Sequence, residues 1–468
     1  MAQDLRGFLE FIEKKYADQF LRVKAQVSST FDATALVLEA EKLASCPVVL
    51  FEKVERSDFP VVSNILAHRP RLALALGVPG ERLVEEFRTR LKNSIPPEIE
   101  SDAPFQENTF IGEDVDLNRL PILTHFVQDG GPYLTAALVV ARDPYTGVST
   151  IGYHRMQLKG PRKMGISLHS RRRMFEYFRR AEEQGRPLDV AICVGVHPLL
   201  SLGALSLPPS DVDKFDVLGG LLGEPVQLAS CKTVDLRVPR WSEIVIEGRI
   251  LNNVREKEGP FGEFTGYAST RGTENVFETT ALHYRKGAIY QDINSGNSME
   301  HCRCLSLPRE VEFTNVLSKT IPNLKAVHVP VRSGIGSFHC YVSLRKTAEG
   351  QGKQAIFSVL GADHYVKLVI VVDEDIDVFD EEQVLWAVAT RMQANRDVFI
   401  VDGAMGTLLD PSATDAITAK MGIDATKPLG DFASTLSLSQ ESIERARGLL
   451  KSARAGSNPG RGRNKATK

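Results

Sequence analysis

Two glutamates lie five residues apart in the stretch Glu258-Gly259-Pro260-Phe261-Gly262-Glu263. Because glycine and proline interrupt helices and central strands, this stretch predicts a rigid loop. Two carboxylates held on one short loop interact through their charges, which favours one ionised and one protonated acid. Acid–base catalysis needs that pairing. A solvated acidic turn is the alternative, since surface turns are rich in glycine and proline.

A second candidate segment carries Arg155 within Ser149-Thr150-Ile151-Gly152-Tyr153-His154-Arg155-Met156-Gln157, which has the composition of a β-strand. Burying an arginine is costly unless an anion pairs with it. The planar guanidinium suits a substrate carboxylate, a phosphate or one of the loop acids. An arginine on the solvent face of the strand is the alternative.

A third candidate is the basic segment Ser167-Leu168-His169-Ser170-Arg171-Arg172-Arg173, which leads into an amphipathic pattern over residues 172–184 that predicts a helix. Hydroxyls, a histidine and arginines at a helix N-terminus suit an anion. Three positive charges in the first turn conflict with the helix dipole, and a bound phosphate would remove that conflict. A basic surface cluster is the alternative.

Two of the six cysteines form the one dense patch, His301-Cys302-Arg303-Cys304. A Cys-x-Cys pair beside a histidine can ligate a metal, but no second Cys/His pair lies at a useful spacing. We therefore predict ordinary, buried thiols. Six cysteines in 468 residues also exclude a disulfide scaffold.

Bulk properties limit the class of protein. A chain of 468 residues has room for two or three domains. The formal net charge of -2 gives no electrostatic reason to bind nucleic acid. The first residues lack the apolar core of a signal peptide, and no apolar run approaches the roughly 20 residues that span a bilayer. We expect a cytoplasmic protein without nucleic-acid or membrane partners.

The pattern of elements changes along the chain. Two short strands and two helical stretches before residue 92 indicate a small α/β unit, and alternating strands and helices after residue 309 indicate a second. Short strands dominate between them and suggest a barrel or sandwich. These central strands are predicted at residues 134–142, 148–158, 189–195, 225–238, 243–251 and 276–284. A helix follows Ser439, and the basic, glycine-rich end predicts disorder.

Several stretches together carry a family pattern. The loop over residues 258–267 is similar to E-G-P-x-G-[ED]-x-x-G-Y, residues 152–157 to a strand ending in Y-R-x-Q, and residues 238–248 to V-P-x-x-[AS]-E-I-V-x-E-G. Gly223-Glu224-Pro225-Val226 and the runs 371–377 and 393–397 also match. The chain thus resembles, over about residues 5–425, the UbiD family of reversible decarboxylases that use prenylated FMN (prFMN).

The resemblance implies a fold of class α/β plus β. Its parts would be a mixed N-terminal α/β domain (1–118), a central prFMN-binding split β-barrel (119–310), a C-terminal α/β dimerisation domain (311–440), and a helix with a disordered basic tail (441–468). A homodimer or higher homo-oligomer is expected.

The resemblance also implies a catalytic triad at Arg155, Glu258 and Glu263. Arg155 would hold the substrate carboxylate and pair with Glu258, and Glu263 would protonate the carbon after CO2 leaves. The substrate would be an aromatic, heteroaromatic or α,β-unsaturated carboxylic acid. prFMN would act as a covalent electron sink, and a flavin prenyltransferase would supply it. The implied cofactor-binding residues are Thr150, Ile151, Tyr153, His154, Arg155, Gln157, Ser167, Leu168, His169, Arg171, Arg172 and Lys214.

One departure from the family concerns a divalent metal beside the flavin phosphate. The family's Asn, His and Glu ligand positions fall here on Thr150, Arg171 and Lys214, and cationic side chains do not bind metals. The sequence therefore gives no support for Mn2+ or K+, and Lys214 and Arg171 are expected to bind the phosphate directly. A small gap in the alignment would return His169 to the ligand role, and Asp213 is the fallback for the carboxylate.

Two other functions stay open at this stage. A flavin-binding subunit without turnover, serving in a decarboxylase complex, is compatible with the altered metal positions. An FMN-dependent oxidoreductase on a split barrel is the other, but the paired loop acids argue against it, because hydride transfer does not require them.

Overall fold

The structure is a computed structural model that describes residues 3–168, 173–269 and 272–456. The predictions for His169, Arg171, Arg172 and the basic tail after residue 456 lie outside these residues. Over the described ranges, no helix is long and apolar enough to cross a membrane.

The N-terminal part builds a sheet in the order β1-β2-β3, to which a later strand adds. Proline at the start of α3 and Gly77 after its end match the usual helix boundaries. The elements are α1 (Leu5–Lys15), β1 (Phe20–Val27), α2 (Asp32–Ala40), β2 (Val48–Val54), β3 (Val61–Ser63), α3 (Arg69–Leu76), α4 (Leu83–Arg90), β4 (Glu98–Glu100) and β5 (Asn108–Ile111).

The central part is dominated by a nine-stranded sheet. Its elements are β6 (Tyr133–Leu134), β7 (Leu138–Arg142), β8 (Ser149–Tyr153), β9 (Met156–Gly160), β10 (Lys163–Ile166), α5 (Arg173–Glu183), β11 (Leu188–Val194), α6 (Pro198–Gly203), α7 (Lys214–Leu222), β12 (Gln227–Ser230), β13 (Arg237–Pro239), β14 (Ile244–Glu256), β15 (Phe261–Gly262), β16 (Ala268–Ser269), β17 (Glu274–Tyr284) and β18 (Tyr290–Gln291). The sheet runs β6-β9-β10-β17-β14-β11-β7-β8, and β5 pairs with β17. β18 instead joins the N-terminal sheet beside β3.

The C-terminal part is a five-stranded sheet in the order β19-β20-β21-β23-β22, with helices packed against it. Its elements are α8 (Met299–Leu317), β19 (Leu324–His328), β20 (His339–Leu344), α9 (Gln351–Ala362), β21 (Leu368–Asp373), α10 (Glu381–Arg391), α11 (Ala394–Asp397), β22 (Val398–Met405), β23 (Ile417–Ala425) and α12 (Gln440–Gly456).

Four predicted elements were wrong in their extent. The strand predicted over residues 134–142 is divided into β6 and β7, and the strand predicted over residues 225–238 is divided into β12 and β13. The single strand predicted over residues 148–158 is broken at His154 and Arg155, which lie between β8 and β9. The helix predicted to begin at Arg309 begins at Met299 and continues through Pro308. Proline usually ends a helix, but here burial of this helix against the N-terminal and C-terminal cores outweighs the lost hydrogen bond.

A buried carboxyl group joins α2 to α8. Glu41 follows α2, and its Oε1 accepts a hydrogen bond of 2.8 Å from the Met299 backbone N–H. Burial raises the pKa of Glu41 to about 7 and that of Glu300, on α8, to about 8. Both groups have ordinary values near 4.5. Above pH 4.5 the unfolded chain releases the protons of both carboxyl groups, whereas the folded chain keeps them until about pH 7 to 8. The free energy of unfolding therefore falls as the pH rises through this range.

We predict that Glu41→Gln weakens this pH dependence. Glutamine keeps the acceptor for Met299 and has no proton to release. Between pH 5 and 7 the free energy of unfolding should therefore fall less steeply than in the wild type, by up to about 1.4 kcal/mol per pH unit. Urea unfolding at several pH values measures the slope. Glu39→Gln, at an exposed position on α2, is the control. Equal slopes for Glu41→Gln and the wild type would contradict the prediction.

Candidate active site

A cavity of about 540 Å³ opens between the central sheet and α8. This volume lies within the range of small-molecule and cofactor sites. Residues from the β8–β9 break, the glutamate loop, the starts of α5 and α7, and α8 form its wall. Among the described lining residues, four carry positive side chains (Arg155, Arg173, Lys214 and Arg309) and Glu263 is the one carboxylate. The cavity therefore favours anionic ligands.

Arg155 joins both glutamates of the loop. Its Nε and Nη2 donate to the two carboxylate oxygens of Glu258, each at 3.0 Å, and its Nη1 donates to Glu263 Oε1. The side chains of Arg155, Glu258 and Glu263 are 10%, 0% and 8% exposed. The alternatives of a solvent-facing arginine and a solvated acidic turn are therefore wrong. One guanidinium holds two acids. Of these three residues, Arg155 and Glu263 line the cavity and Glu258 does not.

Electrostatics keep the guanidinium charged. Burial would lower the pKa of Arg155, but the negative charges of Glu263 and Glu258 outweigh burial and raise that pKa. The ring of Phe261 covers the guanidinium at 4.7 Å, which shields it further from water. Ser269 donates from Oγ to Glu263 Oε1 at 2.9 Å. One oxygen of Glu263 thus accepts hydrogen bonds from both a fixed cation and a hydroxyl. No sequence pattern had pointed to Ser269 as part of the site.

A second segment clamps the glutamate loop. The backbone N–H of Gly262 donates to Asp129 Oδ1 at 2.8 Å, and the backbone N–H of Gly130 donates to the Pro260 carbonyl at 2.7 Å. Gln157 donates to the Gly130 carbonyl at 2.8 Å. At Gly259, φ is +97°, a conformation that glycine adopts without strain. These contacts place Glu258 and Glu263 around Arg155.

We predict that Gly130→Ala displaces this loop. A β-carbon at position 130 would overlap the carbonyl oxygen of Gly259, which is backbone and cannot turn away. Because a misplacement of about 1 Å can cost on the order of 10²-fold in rate, we expect loss of most of the activity that the family resemblance implies. Initial rates of the protein loaded with the implied flavin measure it. Gly361→Ala, on α9, meets nothing within 4 Å and is the control, and wild-type rates in Gly130→Ala would contradict the proposed clamp.

Family models match three consecutive parts of the chain. They are the N-terminal, Rift-related and C-terminal domains of 3-octaprenyl-4-hydroxybenzoate carboxy-lyase, matched at residues 13–91, 98–298 and 302–425. Anhydromevalonate phosphate decarboxylase of Methanothermobacter thermautotrophicus is 35% identical over 426 residues, which are 91% of this chain and 97% of the relative. The chain belongs to the UbiD family.

Solved UbiD-class structures have the same fold. HmfF from Pelotomaculum thermopropionicum in complex with FMN is 39% identical and superposes with a TM-score of 0.90, covering 95% of this chain and 99% of HmfF. An evolved dimeric form of HmfF in complex with prFMN is 36% identical with a TM-score of 0.85, covering 94% and 100%. This UbiD-family chain is therefore a carboxy-lyase in fold and class.

Seven of the predicted cofactor-binding residues line the cavity of this UbiD protein: Thr150, Ile151, Tyr153, His154, Arg155, Ser167 and Lys214. Two others do not line it, because Gln157 bonds the segment that clamps the loop and Leu168 lies in the hydrophobic core. His169, Arg171 and Arg172 lie outside the described residues. The donor set fits a flavin phosphate, since hydroxyls and cations share one wall. Ser295 Oγ, buried at the same cavity, has no hydrogen-bond partner among the described residues and offers a further polar contact.

The described residues at the predicted metal positions do not fit a divalent cation. Lys214 places an ammonium group there, and it donates to the carbonyls of Ile151 and Ala204 at 2.9 and 2.8 Å. Asp213, the fallback ligand, accepts backbone N–H groups from Phe215 and Ser149. No group of three His, Cys, Asp or Glu side chains within the described ranges could hold a metal.

Two lining residues on α8 were not identified from the sequence as parts of the site. His301 Nδ1 lies 2.9 Å from the Gly296 carbonyl, and burial lowers the His301 pKa, so its neutral ring donates there and keeps Nε2 as an acceptor. Arg309 is held by Asp363 and stacks on Tyr365. Predicting α8 to begin at residue 309 left His301 outside the predicted helix, and no local signal directed Arg309 to the cavity. Cys302 and Cys304 are buried, and burial raises the pKa of Cys302 to about 12, so its thiol is a poor ligand and nucleophile.

Proposed function

We propose that this protein is a reversible, non-oxidative decarboxylase of an aromatic, heteroaromatic or α,β-unsaturated carboxylic acid, and that it uses prFMN. The observation that carries the proposal is the position of Arg155 between Glu258 and Glu263 at the wall of an electropositive cavity. The cavity has the size for a flavin, and HmfF, with the same fold, binds FMN and prFMN.

Arg155 is the group that binds the substrate carboxylate. Glu258 orients it through two parallel hydrogen bonds of 3.0 Å. The Nη1 edge faces Glu263, and a substrate carboxylate arriving there adds a third negative charge around one guanidinium. The substrate carboxylate would thus lie beside the Glu263 carboxyl group, on the same edge of Arg155.

Bond cleavage then needs an electron sink and a proton. When bound, prFMN supplies the sink for the electron pair that the departing CO2 leaves behind. Glu263 delivers its proton from the carboxyl group to the carbon that has lost CO2, and Ser269 and Arg155 orient that carboxyl group. In the reverse direction Glu263 removes this proton as the base.

The fold parts take matching roles in this proposal. Thr150, Ile151, Tyr153, His154, Ser167 and Lys214 hold the cofactor. Eight strands of the nine-stranded sheet belong to a flavin-binding split barrel (119–310), and the ninth, β5, comes from an N-terminal domain (1–118). The C-terminal α/β domain (311–440) forms a homodimer, with α12 in the segment 441–468. A flavin prenyltransferase provides the cofactor.

Co-expression with a flavin prenyltransferase tests this function. The purified protein should carry the absorbance of a modified flavin, release CO2 from at least one member of a panel of aromatic, heteroaromatic and α,β-unsaturated acids, and exchange deuterium into the product. A pigmented protein that is inactive on the whole panel would favour the non-catalytic subunit. Protein expressed without the prenyltransferase is the control.

A further inference from the structure

We propose that Lys214 is a built-in cation that replaces a divalent metal at the flavin phosphate, so that this protein binds its cofactor without a metal ion. This inference rests on the proposed function, because it concerns the same cofactor. It follows from the position of the Lys214 ammonium, which the fold holds at the cavity wall between β8, the end of α6 and the start of α7.

The fold fixes the ammonium in place. Lys214 is the first residue of α7, and the whole residue is 6% exposed. Its Nζ donates to the Ile151 carbonyl on β8 and to the Ala204 carbonyl at the end of α6, at 2.9 and 2.8 Å. Carbonyl oxygens are also the groups by which proteins bind metal cations. Here a covalently attached charge occupies them.

The surrounding wall suits a phosphate. Arg173, the first described residue of α5, donates to the Val212 carbonyl at 2.9 Å, two residues before Lys214. The start of β8 is tied to the same place, because the Ser149 N–H donates to Asp213 at 2.9 Å. Two cationic side chains and the N-termini of two helices therefore meet beside the hydroxyls of Thr150, Ser167 and Ser210. Each of these features stabilises a multiply charged anion.

A divalent ion at the same wall would be disfavoured. Glu263 is the one carboxylate among the described lining residues, and it is engaged with Arg155 and Ser269. A second cation beside Lys214 and Arg173 would be repelled, and the family's carboxylate ligand position is the lysine itself. The positive charge that a metal would contribute is already supplied by the chain.

Flavin titrations on the full-length protein test the inference, with FMN and riboflavin as probes that differ by the phosphate. Wild-type protein should bind FMN at least tenfold more tightly than riboflavin, measured by flavin fluorescence, and EDTA should leave the FMN Kd unchanged. Purified flavin-loaded protein should contain well below one divalent metal per chain. Lys214→Met should weaken FMN binding at least tenfold and leave riboflavin binding within twofold. Lys42→Met, at an exposed position two residues after the end of α2, is the matched control.

Several results would overturn the inference. One is stoichiometric Mn2+ in the loaded protein, with FMN binding lost in EDTA. Another is an unchanged FMN Kd in Lys214→Met. A third is an equal loss of FMN and riboflavin binding in that variant, which would make Lys214 purely structural. Metal content and EDTA resistance are measured on the wild type and decide the question even if the variant does not fold. Wild-type protein that binds neither FMN nor riboflavin would refute both this inference and the proposed function.

Discussion

Glu263→Gln is expected to reduce decarboxylation by about 10³-fold, the contribution of a positioned general acid, while the protein keeps its bound flavin. Glutamine has the shape of glutamate and still accepts hydrogen bonds from Arg155 and Ser269, so the loop should keep its position. It has no acidic proton to deliver to the carbon that has lost CO2. Product formation and deuterium exchange should therefore fall together, and the flavin absorbance per chain should not change.

The control for this variant is Glu278→Gln, because Glu278 is an exposed residue of β17 in the nine-stranded sheet. It should match the wild type in both rate and flavin content. Deuterium exchange that persists in Glu263→Gln would remove Glu263 from the role of proton donor. Loss of flavin in that variant would instead indicate a role in cofactor binding.

Arg155→Lys is the second change with a large expected effect. Lysine keeps the positive charge but cannot make two parallel hydrogen bonds to Glu258 while also reaching Glu263. Truncating one partner of a buried ion pair leaves the other charge poorly compensated. We expect kcat/KM to fall at least about 10²-fold, which corresponds to roughly 2.7 kcal/mol of transition-state stabilisation. Most of the fall should appear in KM, since Arg155 binds the substrate carboxylate.

Arg249→Lys is the matched control, because Arg249 lies on β14 with its side chain 46% exposed and bonded to Asp189. It should leave the kinetics unchanged. Flavin content and the midpoint of thermal unfolding, measured for both variants, separate a binding defect from unfolding. A kcat/KM within twofold of the wild type for Arg155→Lys would contradict the proposed carboxylate-binding role.

The sequence alone was sufficient for local features with strong local signals. The amphipathic helix predicted over 172–184 is α5, described from Arg173 to Glu183. Three predicted central strands appear with shifted ends as β11, β14 and β17, and the other three are each divided into two strands. The glycines and proline predicted a loop between Glu258 and Glu263, because their backbone restrictions act within a few residues. The family pattern, spread over most of the chain, predicted the UbiD family and thereby the class of enzyme.

The family resemblance implied that Arg155 pairs with Glu258, but only the tertiary structure showed the contacts that bring the site together. Arg155 bonds acids 103 and 108 residues away, and the clamp at Asp129 and Gly130 lies in a segment with no local signal for it. Burial extended α8 through Pro308, against the local preference of proline, and so brought His301 and Arg309 to the cavity. The family resemblance assigned Lys214 to the flavin phosphate, but the carbonyls that fix its charge come from two other elements. Such contacts depend on packing between distant segments, and no pattern of neighbouring residues encodes that packing.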